Sequence, residues 1–383
     1  MQKRKKEKIK AETFIFLALF LGFFTLLGIR MGIVNLFSTM MNTAYALFKD
    51  TVLYIAAIAI IMSAIAGVLS EFGVVGLLDR LLYPLMKPLF GMPGACSIGV
   101  VMTYFSDNPS ILAFAENKEF KHCFKKYQLP ALANIGTGFG MGAIITTSVL
   151  GFFTITGQSY AKAALIGNLG AIIGCIISTR LMLHYTRKIY GADQYCEVDD
   201  VNDEDEGNAG MKKSAGIRFF TSLLDGGAAG VRLGVGMAPG IVIICTIVMM
   251  LSKGPGPEGV YTGGAYEGFP LLPWIGSQLS FIIKPLFGFS SPEAIAIPIT
   301  ALGASAAGIA LIPQMLINGL IGQRDVAVFT AMCMCFSGYL STHVAMMNTL
   351  KCPELTGKAI AFHTIGGLIA GISANWLYFL FSL

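Results

Sequence analysis

Apolar residues in this chain fall in long blocks rather than in alternation. Thr13 to Ile33, Thr51 to Val68, Leu129 to Phe153, Ala161 to Leu183, Val231 to Leu251, Asp325 to Met347 and Lys358 to Phe381 are each dominated by apolar and small residues. An α-helix rises about 1.5 Å per residue, so about 20 such residues cross a bilayer core. The pattern predicts seven membrane-crossing helices. Two further apolar stretches, residues 94–115 and 291–317, are interrupted at their centres. Ser106-Asp107-Asn108-Pro109 breaks the first, and Gly303-Ala304-Ser305-Ala306-Ala307-Gly308 breaks the second. Proline removes a donor and disfavours helix just before it. Each half is only two or three turns, roughly 15 Å, half the membrane. Both stretches therefore predict re-entrant helical hairpins, a form tolerated only against protein or a water-filled cavity.

Composition agrees with this class. Hydrophobic residues make up 55% of the chain and charged residues 13%, about half the roughly 25% usual in soluble domains. The 45 glycines suit membrane helices, which use small residues to bring backbones close. The basic start, MQKRKKEKIK, precedes an apolar segment too long for a signal-peptide core, which predicts an uncleaved anchor. Its charge is topological, with no nucleic-acid partner implied. With the N-terminus in the cytoplasm, 21 of the 27 Lys and Arg residues fall on the inner side and 6 on the outer. That bias requires seven crossings, so the C-terminus lies outside the cell membrane and both hairpins enter and leave on one side. The eight cysteines show no CxxC pair and no zinc-type spacing. No nucleophile elbow, Walker loop or dinucleotide fingerprint stands in the setting its chemistry needs, and no enzyme is expected. The Gly136-to-Gly142 run, GTGFGMG, lies inside an apolar block and is expected to be a helix-packing surface.

The chain also repeats itself. Lys87-Pro88-Leu89-Phe90-Gly91 recurs 197 positions later as Lys284-Pro285-Leu286-Phe287-Gly288, each just before a hairpin. Lys162 is answered by Lys358, Gly170 by Gly366 and Ile173 by Ile369, 196 positions on. Charge places the first KPLFG inside and the second outside. The expected architecture is all-α and polytopic: two inverted repeats, each with a re-entrant hairpin, plus an extra N-terminal helix. The expected segments are 1–45 (basic terminus and extra helix), 46–186 (first repeat), 187–214 (acidic linker with EVDDVNDEDE) and 215–383 (second repeat).

Two inverted hairpin units followed by helix pairs, over roughly residues 50–383, resemble the transporter gate, or nucleoside-recognition, superfamily. Concentrative nucleoside transporters, the membrane part of G-protein-linked ferrous-iron permeases and spore-maturation membrane proteins belong to it. The resemblance implies an ion-coupled secondary transporter of a small polar solute, a nucleoside among the candidates, with its site at mid-membrane between the hairpin tips. It equally admits a non-transporting scaffold of the spore-maturation type, or a carrier of an amphiphilic molecule. It also makes a homo-oligomer an open expectation.

Candidate chemistry concentrates at the two tips and the helices behind them. A carboxylate at membrane depth normally faces a cavity, an ion or a partner. Asp107, flanked by Ser106 and Asn108, is therefore the candidate Na⁺ or proton site; a helix cap is the plainer alternative. Gly303 and Ser305 at the second tip offer close backbone approach, which suits a polar solute or simple packing. Asn134 and Thr137 share a face of the helix after the first hairpin, and Ser341, Thr342 and His343 lie on its counterpart. The resemblance implies that both helices line the cavity behind the tips. His343 and His363 could titrate near neutral pH and couple protons, or be buried, neutral and hydrogen-bonded. No cofactor beyond a coupling Na⁺ or H⁺ is expected.

The charge pattern predicts that a membrane-impermeant thiol reagent applied outside labels a single cysteine placed at Ser382 and not one placed at Lys213. Outside labelling at both positions would refute the inverted arrangement.

Overall fold

A computed structural model describes residues 10–106, 123–196, 214–256 and 258–382. The described residues are all-α, and six helices are long and apolar enough to span a bilayer, or seven if one bent pair is counted as a span. This is a multi-pass membrane protein.

Helix α1 (Ala11–Met31) turns at Gly32 into α2 (Ile33–Leu47), which continues through a π-helical stretch, Phe48–Val52, into α3 (Leu53–Glu71). The apolar block expected from Thr51 is thus the lower part of a 39-residue rod. The upper part is held by polar bonds to a loop of the second repeat. Asn35 and Asn42 donate to the Tyr261 and Gly263 carbonyls at 2.9 and 2.8 Å, and the Tyr266 N–H donates to Thr43 Oγ1 at 2.8 Å. Next come α4 (Val74–Leu85), α5 (Cys96–Phe105), α6 (Ala131–Phe139), α7 (Gly142–Gly151) and α8 (Ala161–Tyr190). The second repeat runs α9 (Ala215–Ser252), α10 (Leu271–Gln278), α11 (Ser280–Phe287), α12 (Ala296–Gly303), α13 (Ser305–Ile317), α14 (Gln323–Cys335), α15 (Tyr339–Thr349) and α16 (Thr356–Leu380).

Several local devices recur at an offset of 197. Gly91 and Gly288, which end the two KPLFG runs, both take the left-handed conformation, with φ of 75° and 69°. Gln128 Oε1 accepts from the Lys125 N–H at 3.0 Å, and its counterpart Asp325 accepts from the Gly322 N–H at 2.8 Å. The Leu89 carbonyl accepts from Arg180 Nε at 2.6 Å, and the Leu286 carbonyl from Asn375 Nδ2 at 2.8 Å. Different side chains do the same work, so the repeat lives in geometry more than in residue identity.

Two antiparallel pairs organise the bundle. In the first, α3 meets α9 through small residues: a Cβ added at Gly67 would stand 2.6 Å from the Ser222 carbonyl oxygen, and one at Gly234 would stand 2.8 Å from the Ala56 Cα. In the second, α8 crosses α16. A Cβ at Gly170 would lie 2.7 Å from the Ala370 oxygen, and one at Gly366 would lie 2.6 Å from the Gly174 oxygen. Gly170 answers Gly366, so this contact is its own image, as a two-fold relation demands. The ends repeat the relation: Lys162 Nζ lies 4.9 Å from the Tyr378 ring centroid, and Lys358 Nζ lies 5.6 Å from that of Tyr185. Antiparallel equivalents related in this way are what inverted repeats require.

Three expectations need correction. The block Val231 to Leu251 is only the end of α9, which has 38 residues. Its first half, residues 215–230, precedes that block, and there Gly226 and Gly230 pack on α3 and Arg218 pairs with Glu71 at 3.2 Å. The blocks Leu129 to Phe153 and Asp325 to Met347 are not single helices. Each is broken, at Gly140–Met141 and at Phe336–Gly338. The GTGFGMG run is therefore a break as well as a packing surface.

Replacing Gly174 or Gly366 with leucine should overpack the crossing and lower the melting temperature, at a cost of about 1–3 kcal/mol or more. Gly236→Leu, where nothing lies within 4 Å of the added carbon, should leave it unchanged. Thermal melts of the three variants in one detergent check this, and an equal loss at Gly236 would sink the packing account.

Candidate functional site: hairpin tips and helix breaks

Interrupted helices expose backbone groups, and here the interruptions come in a matched pair. Met141 (φ 57°) and Gly338 (φ 59°), 197 positions apart, both adopt the left-handed conformation. Glycine does so without cost, whereas a non-glycine residue is strained there. Strain held in a buried turn is a mark of function-bearing geometry. The carbonyls at the end of α14 lose their intrahelical partners, and His363 on α16 answers one of them, with Nε2 on the Cys335 oxygen.

Around this contact lies a buried polar chain. Asn134 Nδ2 donates to Ser178 Oγ at 2.8 Å and to the Ala359 carbonyl at 2.9 Å. Ser178 Oγ meets His363 Nδ1 at 3.0 Å. His343 stacks beside His363 with ring centroids 4.8 Å apart, and its Nδ1 lies 2.6 Å from the Tyr339 carbonyl oxygen. Asn134, Ser178, His343 and His363 have no exposed surface. Two acceptors in the group, Asn134 Oδ1 and His343 Nε2, have no partner among the described residues.

The first repeat carries a related but closed cluster. Tyr104, on α5, donates to Asn168 Oδ1 at 3.0 Å and lies 3.1 Å from Thr146 Oγ1, while Asn168 Nδ2 donates to Thr146 at 2.9 Å. By the repeat offsets, Thr146 answers His343 and Asn168 answers Thr364. A cavity of about 360 Å³ opens beside this cluster, lined by leucines of α4 together with Phe90, Val100, Phe105, Phe139 and Met334. Its wall is apolar almost throughout, with Asn168 and the Tyr104 hydroxyl at one end.

At the second hairpin, only Ala304 is extended (φ −159°, ψ 116°), and α13 starts at Ser305. The tip is thus one residue rather than six, because Gly308 lets α13 fold back on α12: a Cβ there would lie 3.1 Å from the Ala301 Cβ. The tip rests on α9, where a Cβ at Gly303 would stand 2.9 Å from Ile244 Cδ1 and one at Gly240 would stand 3.2 Å from the Ala304 Cβ. Ser305 Oγ is buried there without a partner.

The predicted residues divide accordingly. Ser106 ends α5 and its hydroxyl donates to the Met102 carbonyl at 2.7 Å. Asp107 and Asn108 lie outside the described residues. Gly303 and Ser305 stand at the second tip. Asn134 and His343 belong to one polar cluster, but Asn134 is turned to α8 and α16 rather than to a cavity. Thr137 bonds back to the Ala133 carbonyl at 2.7 Å. Ser341 and Thr342 lie on the first turn of α15, next to the break. Sequence reasoning missed Ser178, a lone serine in an apolar helix, and the carbonyl of Cys335. Only the folded crossing brings these to the histidines.

No family model matches the chain, and no curated protein matches it. Solved structures of CNTnw, a concentrative nucleoside transporter, do match in fold. Its inward-facing, substrate-bound form superimposes with a TM-score of 0.54 at 12% identity, covering 88% of this chain and 79% of that one. An outward-facing form gives 0.52 at 13% identity, covering 86% and 76%. An intermediate form gives 0.53 at 12% identity, covering 88% and 79%. At such identity the likeness concerns the fold: this chain has the polytopic all-helical fold of that transporter.

Proposed function

We propose that this protein is an ion-coupled secondary transporter of a small polar solute, working by movement of the hairpin-bearing elements against the α3–α9 pair. The matched helix breaks at Met141 and Gly338 carry the reading. Two interrupted helices embedded among protein helices give a polar solute backbone partners at a depth where intact helices offer none. The fold likeness to CNTnw makes nucleosides the first solutes to test. Asp107 is the proposed cation or proton ligand at the first tip, with Ser106 and Asn108 beside it. The charge bias supports a cytoplasmic N-terminus and an external C-terminus. The apolar cavity under α4 and α5 favours a second reading, a carrier of an amphiphile whose tail fills that space.

Purified protein should be melted against nucleosides, amino acids, organic anions and single-chain lipids, with and without Na⁺. A true ligand at 100 times its Kd adds about 2.7 kcal/mol to stability. Stabilisation by one polar class supports the first reading, and stabilisation by the lipids alone supports the second. If Asp107 holds the cation, Asp107→Asn should weaken cation dependence by orders of magnitude, since losing a charge at low dielectric costs several kcal/mol and each ~1.4 kcal/mol is tenfold. Ser106→Ala, which removes one neutral oxygen, should shift it by about tenfold at most. An unchanged cation curve in folded Asp107→Asn would show that Asp107 only caps its helix.

A further inference from the structure

Hydrogen bonding fixes which nitrogen of each buried histidine carries its proton. A backbone carbonyl can only accept. His363 Nε2 faces the Cys335 oxygen and so bears the hydrogen, leaving Nδ1 to accept from the Ser178 hydroxyl. That hydroxyl in turn accepts from Asn134 Nδ2. Every link from Asn134 to Cys335 is satisfied in one direction only. His343 is the opposite tautomer: Nδ1, 2.6 Å from the Tyr339 oxygen, bears the hydrogen. Its Nε2 is then a bare lone pair, fully buried and without a donor among the described residues.

The repeat explains why the donor is missing. In the first repeat the equivalent position, Thr146, accepts from Asn168 Nδ2 at 2.9 Å, while the Tyr104 hydroxyl on hairpin helix α5, whose own hydrogen goes to Asn168 Oδ1, lies 3.1 Å away. The position answering Asn168, 196 residues on, is Thr364, whose hydroxyl hydrogen goes to the Ile360 carbonyl at 2.8 Å, and the position answering Tyr104 is Ala301, which has no polar side chain. The frame is the same and the partner has been removed.

We propose that His343 Nε2 is a proton-binding site, that the packing described here is its unprotonated state, and that proton uptake is linked to movement of α15 about Gly338. The occupant must be small. The 360 Å³ cavity is lined by Asn168 and Met334 but not by His343, and His343 has no exposed surface, so a solute does not reach Nε2 in this packing, whereas a proton needs no space. Among the described residues no group of three His, Cys, Asp or Glu side chains could hold a metal ion. The proton adds to the Nε2 lone pair from water and returns to water, and no other bond changes.

The link to movement follows from what surrounds the ring. A doubly protonated His343 keeps its bond to Tyr339, but its new N–H finds no acceptor in this packing. The neighbouring titratable groups are His363, with its ring 4.8 Å away, and Tyr339, at 6.1 Å. Helices α6 and α12 bring none. On α16, Lys358 lies over Tyr185, and Glu354 of the preceding turn is bonded to Tyr190. With no described carboxylate facing the pair, the cation is better held wherever α15 admits water. A ligand that binds one conformation better shifts the population toward it. Gly338, in the left-handed conformation between α14 and α15, is a residue that can absorb the change in backbone angles.

This inference deepens the ion-coupled reading by naming the proton, and its test needs no transport assay. Protein labelled with ¹⁵N-histidine, in phosphatidylcholine nanodiscs, would be titrated from pH 8 to pH 5 by NMR. The His343 signals are assigned by difference from His343→Gln. Hydrogen exchange of residues 336–350, corrected for the intrinsic effect of pH, is followed in parallel. At pH 8 His343 should be neutral and protonated on Nδ1. On acidification it should gain the second proton as exchange of 336–350 rises by about tenfold, and that rise should vanish in His343→Gln while persisting in His184→Gln. The proposal is overturned if His343 stays neutral to pH 5, if it titrates without a change in exchange, or if His343→Gln keeps the full rise. Should His343→Gln not fold, His343→Asn takes its place. A protein that binds none of the solutes above but titrates in this way keeps the proton site and loses the transport reading; a solute-binding protein with a neutral His343 does the reverse.

Discussion

A backbone that leaves helical form within a bilayer has no water to complete its hydrogen bonds, so protein must do it. The rest of this structure depends on that constraint. The breaks at Met141 and Gly338 are possible because α8 and α16 cross between the two repeats with glycine against backbone, close enough for their side chains to reach the broken helices. His363 reaches the Cys335 carbonyl from α16, and Ser178 on α8 orients His363. If the glycine crossing were spread by a larger side chain, these polar bonds would lengthen together, since all start from the same two helices.

The two-fold relation shows how far chemistry can drift while geometry holds. Gln128 and Asp325 cap the same turn with different charge, and Arg180 and Asn375 tie down equivalent carbonyls from adjacent helical positions. Such replacements keep the number of satisfied backbone groups constant, which is the quantity the membrane penalises. The exception is Thr146 and His343. One accepts from Asn168, and the other keeps a lone pair with no donor among the described residues. An unsatisfied buried acceptor costs about 1–3 kcal/mol, a sizeable fraction of a protein's net stability, so its retention in the otherwise matched half calls for a use.

Much of the architecture was legible in the sequence because it is written in runs and repeats. Apolar block length marked most of the spans, and two copies of KPLFG marked the repeat. The break at Ala304 was legible as small residues, although the turn proved tighter than six residues because Gly308 packs on Ala301. What could not be read follows from packing. Gly140–Met141 looks like any glycine-rich helix face, since nothing local announces a left-handed methionine. The first half of α9 lay outside the apolar block that begins at Val231, because its glycines make sense only against α3. Asn134 and Thr137 were expected to line a cavity. In the structure Asn134 bonds to Ser178 and the Ala359 carbonyl and Thr137 to the Ala133 carbonyl, while Phe139 of the same helix lines the 360 Å³ cavity. The histidine cluster draws on α6, α8, α14, α15 and α16, and no spacing within one segment reveals such a meeting.

The contact of the second hairpin with α9 and the contacts made by α16 differ in the kind of bond they use. Toward α16 the bundle is joined by directional contacts, among them Ser178 to His363 and Arg324 Nε to Asn375 Oδ1 at 2.6 Å. Toward α9 the tip makes small-residue contacts through Gly240, Gly303 and Ala304, and the polar contact across it is a thiol, Cys245 Sγ to the Ala307 carbonyl at 3.2 Å. A thiol is a weak donor, and dispersion contacts between small groups re-form after a slide because they have little directional preference. Hydrogen-bonded contacts do not, since each loses its partner as soon as register changes. A slide of the hairpin along α9 therefore costs less than a change of register between α8 and α16. The same partition holds the histidine cluster together on the stiff side while leaving Gly338, at the start of α15, as the hinge nearest to it.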